Sequence, residues 1–178
     1  LPGNDIRANV LQDAGGNAIF TSDGSGTLSG VNSGFGDALK LISSQTASDS
    51  ASLSFTSGIT STYKEYIFKF YNINPVTDQA VFSWQSNAVG GSGFSETITS
   101  SAFLAANNEA GTDASLGYNT GMDEAQATTF QSLTRTNGND ADQCCAGELH
   151  LFNPSSTIYV KNFYSRVNQS HHLDFTQD

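Results

Sequence analysis

The chain has 178 residues and sets 7 Lys and Arg against 17 Asp and Glu, a formal net charge of −10. That balance argues against a nucleic-acid binder, which needs cations facing phosphates, and against an anionic membrane surface as partner. The apolar fraction is only 37%, while Ser, Thr, Asn and Gly supply 73 of the 178 residues; 19 aromatics remain to build a core. Low charge with that many aromatics is not the signature of a disordered chain. It predicts one all-β domain with many loops and a short appendage.

No run of 18 apolar residues is present, so no membrane-spanning helix is expected, and no signal peptide is visible. The first residue is Leu1 and not Met, which predicts a processed or partial product. Cys144 and Cys145 are adjacent. A vicinal disulfide is strained, so both are expected as free thiols.

Residues 1–36 read as an extended arm with one small hairpin. Asp13-Ala-Gly-Gly-Asn17 and Asp23-Gly-Ser-Gly26 are turn signals that flank Ala18-Ile19-Phe20. Ile6, Val10, Leu11, Ile19 and Phe20 are too scattered to close a core alone, which makes them candidate assembly contacts. From residue 37 to 178 the pattern becomes that of a β-sandwich domain. Leu39 to Ser44 and Ala51 to Phe55 alternate with period two and predict short strands. Residues 63–73 form the strongest strand signal, with Tyr66, Phe68 and Phe70 on one face and Glu65, Ile67, Lys69 and Tyr71 on the other. The second face, with its in-line Glu65 and Lys69, suits an exposed sheet surface.

Asn74-Pro75 breaks that strand, and Ala80, Phe82 and Trp84 share a face in the next, so 63–73 and 79–86 predict an antiparallel hairpin. Thr97 to Leu104 predicts another strand. Ala114 to Tyr118 and Ala127 to Leu133 predict short ones, with a weak helical turn at Asp123 to Ala127. Gly147 to Phe152 and Thr157 to Val167 predict a second hairpin about Asn153 to Ser156. Seven or eight strands in this length is the arithmetic of an antiparallel sandwich or jelly roll.

Chemistry is hard to find. No nucleophile elbow exists, and Cys144 and Cys145 with His150 read as small residues entering a strand that carries a surface His. Glycoside hydrolysis needs two facing carboxylates. Asp113, Asp123, Glu124, Asp140, Asp142 and Glu148 all lie in loops or at strand ends, and no apolar neighbourhood marks out a pair. No catalytic residue and no cofactor is therefore assigned, and no enzyme is expected. Asn137, Asn139, Asp140 and Asp142 are oxygen ligands that would suit calcium, but the run lacks the full ligand series of a calcium loop and reads first as a polar turn. His171 and His172 read as exposed polar ends. Asn168-Gln-Ser170 matches a glycosylation acceptor, relevant only in a secretory eukaryotic protein.

Several segments carry a resemblance. Leu41-Ile-Ser-Ser-Gln-Thr-Ala-Ser48, Phe55-Thr-Ser-Gly-Ile-Thr-Ser-Thr-Tyr-Lys-Glu-Tyr-Ile-Phe-Lys-Phe70 and Ile73-Asn-Pro-Val-Thr-Asp78 resemble virion proteins of marine tailed bacteriophages, notably cyanophages. Asn137-Gly-Asn-Asp140 and the run from Gly147 to Lys161 fit the same group. The stretch from Ile6 to Gly26 looks like the N-terminal segment of phage fibre or surface proteins.

The resemblance implies a non-enzymatic module on the particle surface, as a tail fibre or head decoration. Its arm would bind other virion proteins or sister chains, with a trimer favoured for a fibre. Similar proteins continue for several more strands, whereas this chain stops at Asp178, which predicts a missing C-terminal part. The rival expectation is a lectin-like receptor-binding module that meets host-surface glycans through loops 86–96 and 105–143. Tyr118, Asn119, Asn137, Asn139 and Asp140 are its candidate contacts.

Overall fold

The computed structural model describes residues 9–31, 39–173 and 175–178, and Ile6 lies outside that set. Among the described residues every regular element is a β-strand, every pairing is antiparallel, and no helix is long and apolar enough to cross a membrane. The chain divides into two compact units, Leu1–Gly58 and Ile59–Asp178.

The first unit holds a three-stranded sheet, β1 (Val10–Gln12), β2 (Ala18–Ser22) and β3 (Leu28–Ser29), in the order β1-β2-β3. The expected single hairpin is thus two consecutive ones. Each turn is organised by an aspartate that accepts backbone N–H groups, the side-chain substitute for a turn hydrogen bond. Asp13 Oδ1 accepts from Gly15 N and Asn17 N, both at 2.9 Å. Asp23 Oδ1 accepts from Ser25 N at 2.7 Å and Thr27 N at 3.1 Å. Gly16 and Gly24 both take φ of 81°, a left-handed conformation that glycine adopts without a Cβ clash.

The strands expected at 39–44 and 51–55 are not formed. Alternation supplies a face but not a partner, and no strand pairs with either segment. Leu41 is 80% exposed. Just after the first segment, Gln45 Nε2 donates to Ser54 O at 2.8 Å.

The second unit contains β4 (Glu65–Ile73), β5 (Ala80–Trp84), β6 (Ile98–Thr99), β7 (Phe103–Asn108), β8 (Ala114–Tyr118), β9 (Ala125–Ala127), β10 (Gln131–Asn137), β11 (Cys145–Phe152), β12 (Phe163–His171) and β13 (Phe175–Gln177). Its main sheet runs β4-β11-β12-β13-β7-β8. Strand β10 joins β12 at one residue pair and carries β5 on its other side. Strands β6 and β9 form a small separate ladder.

The core lies where β5 and β10 cover β4, β11 and β12, a sandwich-like arrangement. Leu133, Cys145 and Val167 form its centre, with Phe70, Ile73, Phe82 and Trp84 packed against them. Phe70 meets Phe82 edge-on at 4.9 Å, and Trp84 meets Phe163 at 5.0 Å. Such T-shaped pairs add to simple area burial.

Two pairing expectations are corrected. Strands β4 and β5 do not form a hairpin: β4 pairs with β11, and β5 pairs with β10. The connection between them is held elsewhere. Asn74 Nδ2 donates to Asp140 O at 2.9 Å and to Gln143 O, while Asn139 Nδ2 donates to Val76 O at 3.1 Å. The 74–76 turn is thereby tied to the loop after β10 and delivers β5 to the opposite layer.

The β11–β12 hairpin exists, but β12 begins at Phe163, so residues 153–162 form the loop. Ser156 Oγ accepts from Ile158 N and Tyr159 N, and Lys161 Nζ donates to Ser156 O and Tyr159 O. These local bonds hold a turn in place of a ladder and leave Ile158, Tyr159 and Val160 exposed. The expected strand at 97–104 is divided between β6 and β7, and that at 127–133 between β9 and β10. Residues 125–127 are a strand and not a helical turn.

Candidate functional site

The outer face of β4, β11 and β12 collects the chemistry of the second unit. Along β11, Cys145, Leu149 and Leu151 are buried, so the alternate residues Glu148, His150 and Phe152 belong to the other face. Register places Lys69 and Arg166 on either side of Glu148, and Ile67 and Tyr164 on either side of His150.

The charged groups pair across strands. Lys69 Nζ lies 3.3 Å from Glu148 Oε2. His150 Nδ1 lies 2.6 Å from Glu65 Oε1, and its Nε2 lies 3.1 Å from Glu148 Oε1. Glu65 and Lys69 thus belong to separate cross-strand pairs. The hydrogen bond to Glu65, then that to Glu148, raises the His150 pKa above its ordinary value. The bond from His150, then that from Lys69, holds the Glu148 carboxyl below its own. The Arg166 guanidinium grips Asp178 with two nitrogens, Nε lying 3.1 Å from Oδ1 and 3.0 Å from Oδ2. This bidentate fork raises its pKa further.

A groove of about 420 Å³ opens beside these pairs, bounded by Lys69, Phe70, Tyr71, Ala146, Gly147, Glu148, Arg166, Asn168 and Asp178. It arises from a bulge. Cys145 pairs with Ile73 and Gly147 with Phe70, so Tyr71 and Asn72 both stand opposite the single residue Ala146. Asn72 absorbs the extra residue at φ 51°, a left-handed conformation that asparagine tolerates. Tyr71 is left 71% exposed at the rim. The floor needs Gly147: a Cβ there would sit 2.3 Å from Arg166 O and 2.6 Å from Val167 Cα.

The five residues expected to meet a glycan do not form one site. Tyr118 and Asn119 line a shallow depression of about 180 Å³ at the end of β8. Tyr118 packs edge-on to Phe103 at 5.5 Å and donates to Asp123 Oδ2, which raises the phenol pKa. Asn119 Oδ1 accepts from Gly121 N at 2.9 Å. Asn139 and Asp140 lie in the loop tied to the 74–76 turn. Asn137 is 1% exposed and belongs to the interior, which corrects its reading as a loop residue. It stands where β10 is flanked by both β5 and β12, and its Nδ2 donates to Thr134 Oγ1 at 2.9 Å. In the loop itself, Asp140 O already accepts from Asn74 and Gln143. Among the described residues no group of three or more His, Cys, Asp or Glu is placed to hold a metal ion.

Of the assembly candidates, Val10 and Leu11 are exposed, and Ile19 and Phe20 are half-buried. Both cysteines are free thiols. Burial pushes the Cys145 thiol up to about 12, with Cys144 adding to the effect. Cys145 and His150 also lie on opposite faces of β11, so they form no nucleophile–base pair.

His171 is buried, not an exposed end. Its Nδ1 accepts from Leu173 N at 3.2 Å, so its Nε2 carries the proton and donates to Thr136 Oγ1 at 2.8 Å. Burial, then the neighbouring His172, lowers its pKa.

Sequence reasoning missed the buried amides as well as the groove. Gln85 Nε2 donates to Glu96 O, Thr128 O and Thr129 O, and Gln169 Oε1 accepts from Arg135 N at 2.6 Å. The signal for Gln169 was its alternation with Val167 and His171, which puts all three on the inward face of β12. No family model matches the chain, and no curated protein or solved structure matches it either.

Proposed function

We propose that the chain is a non-enzymatic structural protein of a bacteriophage particle. It is displayed on the particle surface as a tail fibre or head decoration, and its first unit makes the assembly contacts. One observation carries the assembly role: no described residue of the first unit is buried, although three of its strands are paired in register. A small sheet of this kind is marginal in water unless its apolar side is covered. Val10, Leu11, Leu28 and Val31, followed by Leu39, Leu41, Ile42 and Leu53, are exposed and available for burial against a partner. Copies of the same chain or other virion proteins supply that cover, as a trimer in the fibre reading. The bacteriophage assignment rests on the sequence resemblance of residues 6–26, 41–48, 55–70, 73–78, 137–140 and 147–161.

Two measurements test it. Antibody raised against the chain should decorate purified virions under the electron microscope; clean particles from an infection that produces the chain would overturn the virion role. Light scattering on the full chain should give a multiple of the monomer mass, with Leu11→Asp and Leu41→Asp lowering it. A mass indifferent to both changes would remove the first unit from the assembly contacts.

A further inference from the structure

We propose that the groove at the β4 bulge binds an uncharged saccharide, a function separate from the assembly role of the first unit. Its volume of about 420 Å³ lies within the span usual for small-molecule sites. Three features select the ligand class.

The first is the exposed Tyr71 ring at the rim. The C–H face of a pyranose is apolar and flat, and it stacks on an aromatic plate whose other end stays wet. The second is charge cancellation. Lys69 is paired with Glu148, and Arg166 with Asp178, so the walls carry two cations and two anions already joined. An anionic ligand would meet two carboxylates and a cationic one would meet an ammonium and a guanidinium.

The third feature is the supply of both donors and acceptors in fixed positions. The Arg166 fork is held by Asp178, yet a guanidinium has five N–H donors, more than the carboxylate can take. Asn168 adds an amide that can both donate and accept. Sugar hydroxyls do both as well, so they match this lining where an apolar ligand would leave it unsatisfied. Cross-strand pairing fixes the polar groups before a ligand arrives, which lowers the ordering cost of binding.

The test is calorimetric titration of the full chain with neutral hexose oligosaccharides (maltohexaose, cellohexaose, laminarihexaose and mannohexaose), with a sulfated galactan oligosaccharide as the charged comparison. At least one neutral member should bind and the sulfated one should bind more weakly. Tyr71→Ala should weaken that binding at least about tenfold, as for an aromatic anchor, while Tyr71→Phe keeps most of it. Leu116→Ala, in the separate depression near β8, should leave it unchanged. Tyr71 is exposed, so its variants should keep the wild-type melting temperature. Absence of binding to every neutral oligosaccharide, preference for the sulfated one, or wild-type affinity in Tyr71→Ala would each overturn the proposal.

Discussion

The three-stranded sheet of the first unit and the eight-stranded sheet of the second are both antiparallel, but different forces hold them. In the first, Asp13 and Asp23 set the register through their own side-chain bonds, and no described residue is buried. In the second, aromatic pairs and a small aliphatic centre are locked between layers, with amide side chains satisfying backbone groups that strands leave over. Turn chemistry is enough to choose a register, whereas cooperative resistance to unfolding needs buried area.

The sharpest way to break the contrast is Leu149→Ala, which removes a side chain only 2% exposed. It should cost about 2–5 kcal/mol in urea unfolding of the second unit, the range for a core truncation. Next comes Gly147→Ala, which forces a Cβ against the β12 backbone. Prising β11 from β12 should cost about 1–3 kcal/mol by the same measurement and also deform the groove. Amide shifts of the β1–β2–β3 turns should not respond to either change.

A smaller effect separates His150 from His171 by pH. The native state binds the His150 proton more tightly than the unfolded chain does. Its pairs therefore contribute fully below the ordinary value of 6.5 and fade as pH rises through the raised one. Glu148 works in the reverse direction: its contribution is present above 4.5 and is lost as pH falls through its lowered value. His171 opposes His150, because its buried neutral form makes the fold lose stability as pH drops below 6.5. His150→Gln should accordingly show its largest deficit on the acid side of neutrality, and His171→Gln should flatten the acid decline. Thermal melts at a series of pH values read both.

The smallest expected effect is Asp23→Ala. It should loosen residues 22–28, visible as amide shifts at Ser25 and Thr27, and leave unfolding of the second unit where it was. A shift in that unfolding would mean that the two regions are not as different as their burial says.

Much of the second unit was legible because apolar alternation is a strong signal where one face of a strand is buried. Tyr66, Phe68 and Phe70 in β4 read correctly for that reason, and Gly147 to Phe152 read correctly as a strand. The identical kind of pattern at 51–55 misled, since a period says which face turns inward but not whether an edge will accept the strand. Partner choice was hidden too: β4 takes β11 and β5 takes β10, and the side-chain ties from Asn74 to Asp140 and from Asn139 to Val76 join residues 66 and 63 positions apart. Asn137 looked like a loop residue because Asn usually is one, and its burial follows from having strands on both sides. The groove could not be read at all, because it depends on a register slip between residues more than 70 positions apart.

The burial of Cys145 has a practical consequence. Alkylating reagents attack the thiolate, and a thiol pushed up to about 12 offers almost none near neutral pH. Toward a maleimide the native protein should behave as though it had one reactive sulfur, at the half-buried Cys144. A dye or heavy-atom cluster can then be attached at one defined point without engineering the sequence. Uptake of a second equivalent would report, in real time, that the interior has opened.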